Sequence, residues 1–249
     1  MAQGYDDERF FAAYAEMPRS RHGLRVAGEW RQLRPLFPPL RGRRVLDLGC
    51  GYGWHCRFAA EQGAARVLGL DESRKMIERA EAYGGGAQIQ YRVCAMEEYE
   101  YPAGAWDCVI SNLALHYVAD LGAVFERVRR TLVPGGTFLF NIEHPVYTAG
   151  VGQDWVYGGD GRPLYWPVDG YFTPGPRQTR FLGCPVTKQH HTLTQILMGL
   201  LTRGFALEAV EEAQPPADML DLPGMADELR RPMMLLVKAR RDGRAAGVE

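Results

Sequence analysis

Several things are missing from this sequence, and each absence removes a class of protein. Its 249 residues contain no apolar run long enough to span a bilayer, so a membrane is not an expected partner. The stretch Met1 to Phe11 is acidic and polar and has no apolar core of a secretory signal. A formal net charge of −1 leaves no broad electrostatic footprint for nucleic acid. The nearest approach to a basic patch, Arg41, Arg43 and Arg44, reads as a solvated turn before a strand. Five cysteines (Cys50, Cys56, Cys94, Cys108, Cys184) form no Cys-x-x-Cys and no paired framework, which suits reduced thiols in the cytoplasm. No His-x-x-x-His or related ligand spacing occurs, and the adjacent His190 and His191 diverge in either a strand or a helix, so no metal is expected.

What remains is an ordinary globular composition, 46% hydrophobic and 24% charged, in a length that suits one substantial core. The chain is organised around Arg44-Val45-Leu46-Asp47-Leu48-Gly49-Cys50-Gly51-Tyr52-Gly53. A short apolar run breaks into glycines and restarts as a helix near Trp54, the nucleotide-binding corner of a doubly wound sheet. The spacing is not Gly-x-Gly-x-x-Gly and no lysine follows the glycines, so a dinucleotide turn and a Walker loop are both excluded. Asp47, just ahead of the glycines, would repel a pyrophosphate but suits a cationic amino group.

In Asp47-Leu48-Gly49-Cys50-Gly51 the chain resembles the class I S-adenosylmethionine-dependent methyltransferases. Four further landmarks follow in that family's order. The apolar strand Arg66–Leu70 ends at Asp71, about 20 residues beyond the glycines, where an acid can accept hydrogen bonds from ribose hydroxyls. Ser73 is placed to cap the next helix, which carries Met76. Strand Gln88–Val93 leads into Cys94-Ala95-Met96-Glu97. Trp106 to Asn112 reads as a strand buried on both faces, and Leu113-Ala114-Leu115-His116-Tyr117 follows it. Leu132-Val133-Pro134-Gly135-Gly136 turns into strand Thr137–Ile142.

The resemblance implies a Rossmann-like α/β fold with a seven-stranded, mostly parallel sheet whose last strand is antiparallel. It implies S-adenosylmethionine as cofactor and S-adenosylhomocysteine as product. By the family's pattern the cofactor would meet Asp47, Gly49, Cys50 and Gly51 at the first turn, and Asp71, Glu72 and Met76 after the second strand. It would meet Ala95, Met96 and Glu97 after the third strand, and Ser111 and His116 after the fourth. A helical segment before the first strand makes Tyr14 and Arg19 candidates for a lid, although Tyr14 can equally pack on the sheet. Asp107, at the start of its strand, reads as structural.

The expected organisation is a single domain, 1–249. It comprises an N-terminal helical lid (1–40), a cofactor-binding core (41–143), a substrate cap (144–191) and the C-terminal part of the core (192–249). Between Glu143 and Thr192 periodicity disappears, while Tyr147, Trp155, Tyr157, Tyr165, Trp166, Tyr171 and Phe172 argue for an ordered cap over a planar or cationic guest. The stretches Glu143–Ala149, Trp166–Phe172 and Arg231–Leu236 are similar to a bacterial methyltransferase subgroup acting on small molecules. His144 is the first candidate for a general base, followed by Tyr171 and His190. The expectation is therefore a cytoplasmic transferase, monomer or homodimer, that methylates an N or O nucleophile of a small aromatic or heterocyclic molecule. The alternatives are methylation of RNA or protein, and non-catalytic binding of S-adenosylmethionine. From Arg240 onward the chain reads as a frayed tail.

Overall fold

The structure is a computed structural model that describes residues 4–243. The N-terminal segment is a chain of short helices, α1 (Glu8–Ala15), α2 (Pro18–His22) and α3 (Trp30–Leu33). Pro18 stands at the first position of α2, where its missing N–H goes unneeded and its fixed φ separates α2 from α1.

The core then alternates strand and helix: β1 (Arg44–Leu48), α4 (Trp54–Glu61), β2 (Arg66–Asp71), α5 (Arg74–Tyr83), β3 (Ile89–Val93) and β4 (Trp106–Asn112). It continues through α6 (Leu121–Thr131) and β5 (Leu132–Glu143). An inserted segment carries α7 (Pro145–Thr148) and two hairpins, β6 (Val156–Tyr157) with β7 (Pro163–Tyr165), and β8 (Gly175–Phe181) with β9 (Cys184–His190). α8 (Leu193–Leu201), β10 (Phe205–Ala213) and β11 (Met234–Arg241) complete the described chain.

The main sheet has seven strands in the order β10-β11-β5-β4-β1-β2-β3. β11 runs antiparallel to both neighbours, and the pairs β5–β4, β4–β1, β1–β2 and β2–β3 are parallel. Parallel strands buried on both faces read as continuous apolar runs, as β1, β2 and β4 do. Their alternate residues build two cores. Leu46, Leu48, Phe138 and Phe140 pack with Phe125 of α6 and Leu200 of α8. Val45, Val67, Ile110 and Leu139 pack with Cys56 and Ala59 of α4 and Ile77 of α5. α6 shows why: Leu121, Val124, Phe125 and Val128 recur at helical spacing, and Asp120 caps the start by accepting from the Ala123 N–H.

Several boundaries differ from expectation. β5 begins at Leu132, which pairs with Trp106 before the ladder shifts and resumes at Cys108 and Thr137, so the proline-glycine turn bulges out of one longer strand. The insertion, expected to be ordered but without regular periodicity, holds four short strands, which carry no long apolar–polar alternation that would mark them in the sequence. Arg240 and Arg241, assigned to a frayed tail, pair in β11 with β10, and residues 244–249 lie outside the described residues. No helix among the described residues is long and apolar enough to cross a membrane.

Candidate active site

At the carboxyl edge of β1 the chain turns through Gly49, Gly51 and Gly53, all with positive φ. Gly49 is held by more than dihedral preference: a Cβ there would overlap that of Ala114, in the loop after β4. The turn is strapped to β2, since the N–H groups of Gly49 and Cys50 donate to Leu70 O, each at 2.8 Å. The Gly51 N–H donates to Asp71 Oδ2 (2.9 Å), and Asp71 Oδ1 accepts from the Ser73 N–H (2.9 Å). Each carboxylate oxygen retains further acceptor capacity. No side chain caps the start of α4, leaving its first N–H groups facing the turn.

Two acids at this corner are shifted by burial. Asp71 is pushed up to about 6 by desolvation, against the lowering pull of the Ser73 and Gly51 N–H groups. Asp47, 1% exposed, is pushed up to about 7 by desolvation, while the Cys56 thiol donates to its Oδ2 at 3.3 Å and the Asp71 charge raises it further. A cationic ligand group beside either acid would favour its charged form.

An N-terminal arm crosses this edge. Asp6 Oδ1 accepts from Ser73 Oγ (2.6 Å) and from the Lys75 N–H (3.2 Å), anchoring the arm over the start of α5. Tyr5 and Tyr117, on the loop after β4, place their hydroxyls 3.0 Å apart. Tyr14 of α1 points its hydroxyl at the glycine turn, 3.8 Å from where a Gly51 Cβ would lie. Arg19 pairs with the buried Glu29, and its charge reaches Tyr14.

Beyond the Tyr5–Tyr117 bridge lies a buried polar cluster. Lys188 Nζ of β9 is 2.6 Å from Glu143 Oε1, at the end of β5, and 3.1 Å from Gln153 Oε1. His116 Nε2 is 3.8 Å from the same Glu143 oxygen. Desolvation pulls the His116 imidazole down to about 4, with Glu143 opposing and Lys188 assisting, so the ring is neutral at pH 7. Lys188 also lies over the rings of Tyr147 (5.5 Å) and Phe181 (5.7 Å). Tyr117 joins the cluster to the cofactor corner: burial raises its phenol, and the Glu143 charge raises it further. A buried ion pair is favourable only in good geometry with its remaining hydrogen bonds met.

The structure brings Tyr14, Arg19, Asp47, Gly49, Cys50, Gly51 and Asp71 together around the first turn. Glu72 follows Asp71, and Met76 is buried in α5 with its N–H on Ser73 Oγ. Met96 reaches the turn from the loop after β3, its Cε 3.7 Å from a would-be Gly49 Cβ. Ala95 O accepts from the Glu98 N–H, and Glu97 O accepts from Arg127. Ser111, expected at the ligand edge, is buried and donates to Leu48 O at 2.8 Å, which ties β4 to β1. Asp107 binds Arg44 through both carboxylate oxygens at the opposite end of β4.

The three candidate bases are placed differently. His144 Nδ1 accepts from the Val146 N–H (3.1 Å), and Nε2 lies 2.9 Å from Glu212 Oε1 of β10. Its ring turns toward β10, whereas its neighbour Glu143 reaches β9, because successive side chains at a strand end point to opposite sides. His190 is fully buried between Thr148 Oγ1 (2.7 Å) and Tyr171 O (2.8 Å). The Tyr171 hydroxyl accepts from the Leu193 N–H at 3.2 Å. Tyr171 and His190 therefore fasten the inserted segment, with ring centroids 5.5 Å apart, whereas His144 Nε2 approaches Glu212 without making a hydrogen bond. The residues missed from sequence are Glu143, Lys188, Gln153, Tyr5 and Tyr117. Glu143 alone had a readable signal, an acid at the carboxyl end of an apolar strand, as at Asp71.

Comparison with known proteins agrees with this geometry. A family profile for a methyltransferase domain matches residues 46–140. A structure from Listeria monocytogenes, described as an S-adenosylmethionine-dependent methyltransferase, is 43% identical, with TM-score 0.84, covering 89% of this chain and 100% of that one. A similarly described structure from Mesorhizobium loti is 45% identical, with TM-score 0.81, covering 88% of this chain and 100% of that one. A Haemophilus influenzae protein of unassigned function is 29% identical over 95% of this chain and 96% of its own length. Other curated relatives align over shorter stretches. A tRNA U34 carboxymethyltransferase of Hahella chejuensis is 28% identical over 57% of this chain and 41% of its own. A ubiquinone biosynthesis O-methyltransferase of Sinorhizobium medicae is 36% identical over 39% of this chain and 40% of its own.

The fold and the glycine corner define a class I, Rossmann-like methyltransferase. The chain belongs to the S-adenosylmethionine-dependent methyltransferases, and S-adenosylmethionine is its cofactor.

Proposed function

We propose that this enzyme methylates an N or O nucleophile of a small planar molecule held between the glycine corner and the inserted cap. The observation that carries the reading is the closed arrangement around the cluster. The arm supplies Tyr5 and Phe10, the β8–β9 hairpin supplies Phe181 and Lys188, and Phe10 touches Phe181 with ring centroids 5.8 Å apart. Aromatic rings contributed by both segments suit a flat guest, and the net charge of −1 offers no general attraction for RNA.

Bound S-adenosylmethionine supplies a methyl group on a positively charged sulfur leaving group. The glycine turn would hold its backbone-hugging end, Asp71 would accept from the ribose hydroxyls, and Asp47 would pair with the amino group. The backbone of Ala95 and Met96 would hold the adenine edge. The protein then has mainly to align the nucleophile and exclude water, which the arm and hairpin do by closing on each other. Where the nucleophile carries a proton, Glu143 is the acceptor best placed on the cap side, since its neighbour His144 is turned toward Glu212.

The test is transfer of a radiolabelled methyl group to a panel of phenols, aromatic amines and nitrogen heterocycles, with bulk tRNA and cell protein run in parallel. Label in a small molecule supports the reading. Label in tRNA or protein alone replaces the substrate class, and cofactor binding without label in any fraction favours a non-catalytic binding protein.

A further inference from the structure

The inserted segment turns large apolar side chains to solvent. Val151, Tyr157, Leu164, Tyr165, Val168 and Phe172 are all exposed, and Phe172 is 89% so. Backbone pairing sets several of them side by side. Val156, next to Tyr157, pairs with Tyr165 in the β6–β7 hairpin. The bridge between Gly150 and Val168 sets Val151 next to Val168, and the Val151 N–H donates to Pro167 O at 3.1 Å. Single exposed apolar residues are ordinary, but a contiguous set marks a surface that another body covers.

This face carries both a projection and a receptacle. The projection is Phe172, and the turn that presents it is braced. The Thr173 N–H donates to Gly170 O (2.9 Å), and Arg177 Nη2 donates to Gly170 O (3.1 Å) and Thr173 O (2.7 Å). Tyr171 O accepts from His190 Nε2 at 2.8 Å. A ring held out on a fixed stem loses little freedom when it is buried. The receptacle is a cleft of about 320 Å³ beside α7, lined by Trp155, Tyr165, Trp166, Val168, Arg230 and Arg231 among others. An apolar cavity of about 150 Å³ holds benzene, so this cleft has room for a phenyl ring. The guanidinium of Arg230 lies 4.7 Å from the Trp155 ring and that of Arg231 4.3 Å from the Trp166 ring, surfaces on which a further aromatic ring stacks.

Charge narrows the choice of occupant. Arg230 pairs with Asp227 (2.9 Å) and Arg231 with Glu228 (2.8 Å from each terminal nitrogen). A phosphate backbone or an anionic bilayer is recognised through cations in excess, and the cations of this cleft are already paired. A neutral aromatic side chain enters without stranding a charge, and the same face presents one in Phe172. Val168, a wall of the cleft, precedes Phe172 by four residues, so their backbones are at most about 14 Å apart. A two-fold axis passing between them points each copy's ring at the other's cleft, so one patch supplies both halves of the contact.

We propose that this face is a two-fold interface between copies of the chain, in which Phe172 of each copy enters the cleft between Trp155 and Trp166 of the other. The interface is independent of the substrate class proposed above.

Sedimentation velocity of the full-length protein over a dilution series tests it. The wild type is expected to pass from dimer to monomer on dilution. Phe172→Asp removes the ring and Tyr165→Glu sets a charge in the cleft wall, and each is expected to weaken association at least about tenfold. Both side chains are exposed, and an unchanged far-ultraviolet circular dichroism spectrum shows that each variant is folded. A mixture of the two variants restores one complete contact, the ring of the Tyr165→Glu chain in the cleft of the Phe172→Asp chain. It is therefore expected to associate more strongly than either variant alone. A wild type that stays monomeric at every concentration overturns the inference, whether or not a different protein binds this face. So does a dimer that both substitutions leave unchanged, or a mixture no stronger than its components.

Discussion

Phe10 of the N-terminal arm and Phe181 of the β8–β9 hairpin meet with ring centroids 5.8 Å apart, so two segments distant in sequence pack against each other. Phe10 is fully buried. It is held by the rings it packs on, Phe181, Tyr5 and Tyr14.

Phe10→Ala is expected to undock the arm and leave the sheet intact. Truncating a buried Phe costs about 3–5 kcal/mol, more than a short helix holds by itself. Hydrogen exchange will show protection falling over residues 4–17 with β1, β4 and β5 unchanged, and S-adenosylhomocysteine will dissociate faster. Arm protection equal to wild type would contradict the docking role.

Asp47 makes a pH prediction with a definite sign. Its carboxyl titrates at about 7 in the folded chain, against about 3.9 when unfolded. Between those values the folded state keeps a proton that the unfolded state has released, so this residue lowers stability as pH rises from about 4 to about 7. The full loss is on the order of 4 kcal/mol for roughly three pKa units. Asp47→Asn removes the titration. In urea unfolding without cofactor its gain over wild type should grow from pH 5 to pH 7 and level off above. A gain that does not vary with pH would show that Asp47 ionises normally.

Lys188→Met leaves Glu143 buried beside an apolar chain. Breaking a buried pair on one side costs about 3–5 kcal/mol, whereas replacing both partners by apolar groups can be neutral. Denaturant titration is expected to show that loss in the single variant and recovery of most of it in Lys188→Met with Glu143→Leu. Additive losses in the double variant would mean that the two side chains do not act as a pair.

His144→Gln is expected to lower stability and to leave turnover within a factor of about three. His144 caps α7 and meets Glu212 rather than the cap cluster, and losing a cap costs about 1 kcal/mol. A fall in turnover of a hundredfold, with cofactor affinity preserved, would support His144 as the base.

How much of this could be read from sequence follows from how local each signal is. β1, the glycine turn and Asp71 were legible because a strand, a turn and an acid stand at fixed short offsets. Ser73 as the α5 cap was legible for the same reason. The polar cluster was not. Lys188 meets Glu143 across 45 residues and Gln153 across 35, and nothing nearby marks a lysine at an inward-facing position of β9. His144 stood out as a titratable group after β5, but sequence position alone does not tell that Glu143 turns toward β9 and His144 toward β10. Tyr5 and Tyr117 pair over 112 residues, a contact that only the docked arm creates.

The most direct test of the central claim is calorimetric titration of the wild-type chain and Asp71→Ala with S-adenosylhomocysteine. The account predicts micromolar binding by wild type, about −8 kcal/mol. It predicts a loss of ten- to hundredfold in the variant, the size of one or two hydrogen bonds to a charged group. Equal affinity in the two proteins would contradict the placement of the cofactor at this corner of the sheet.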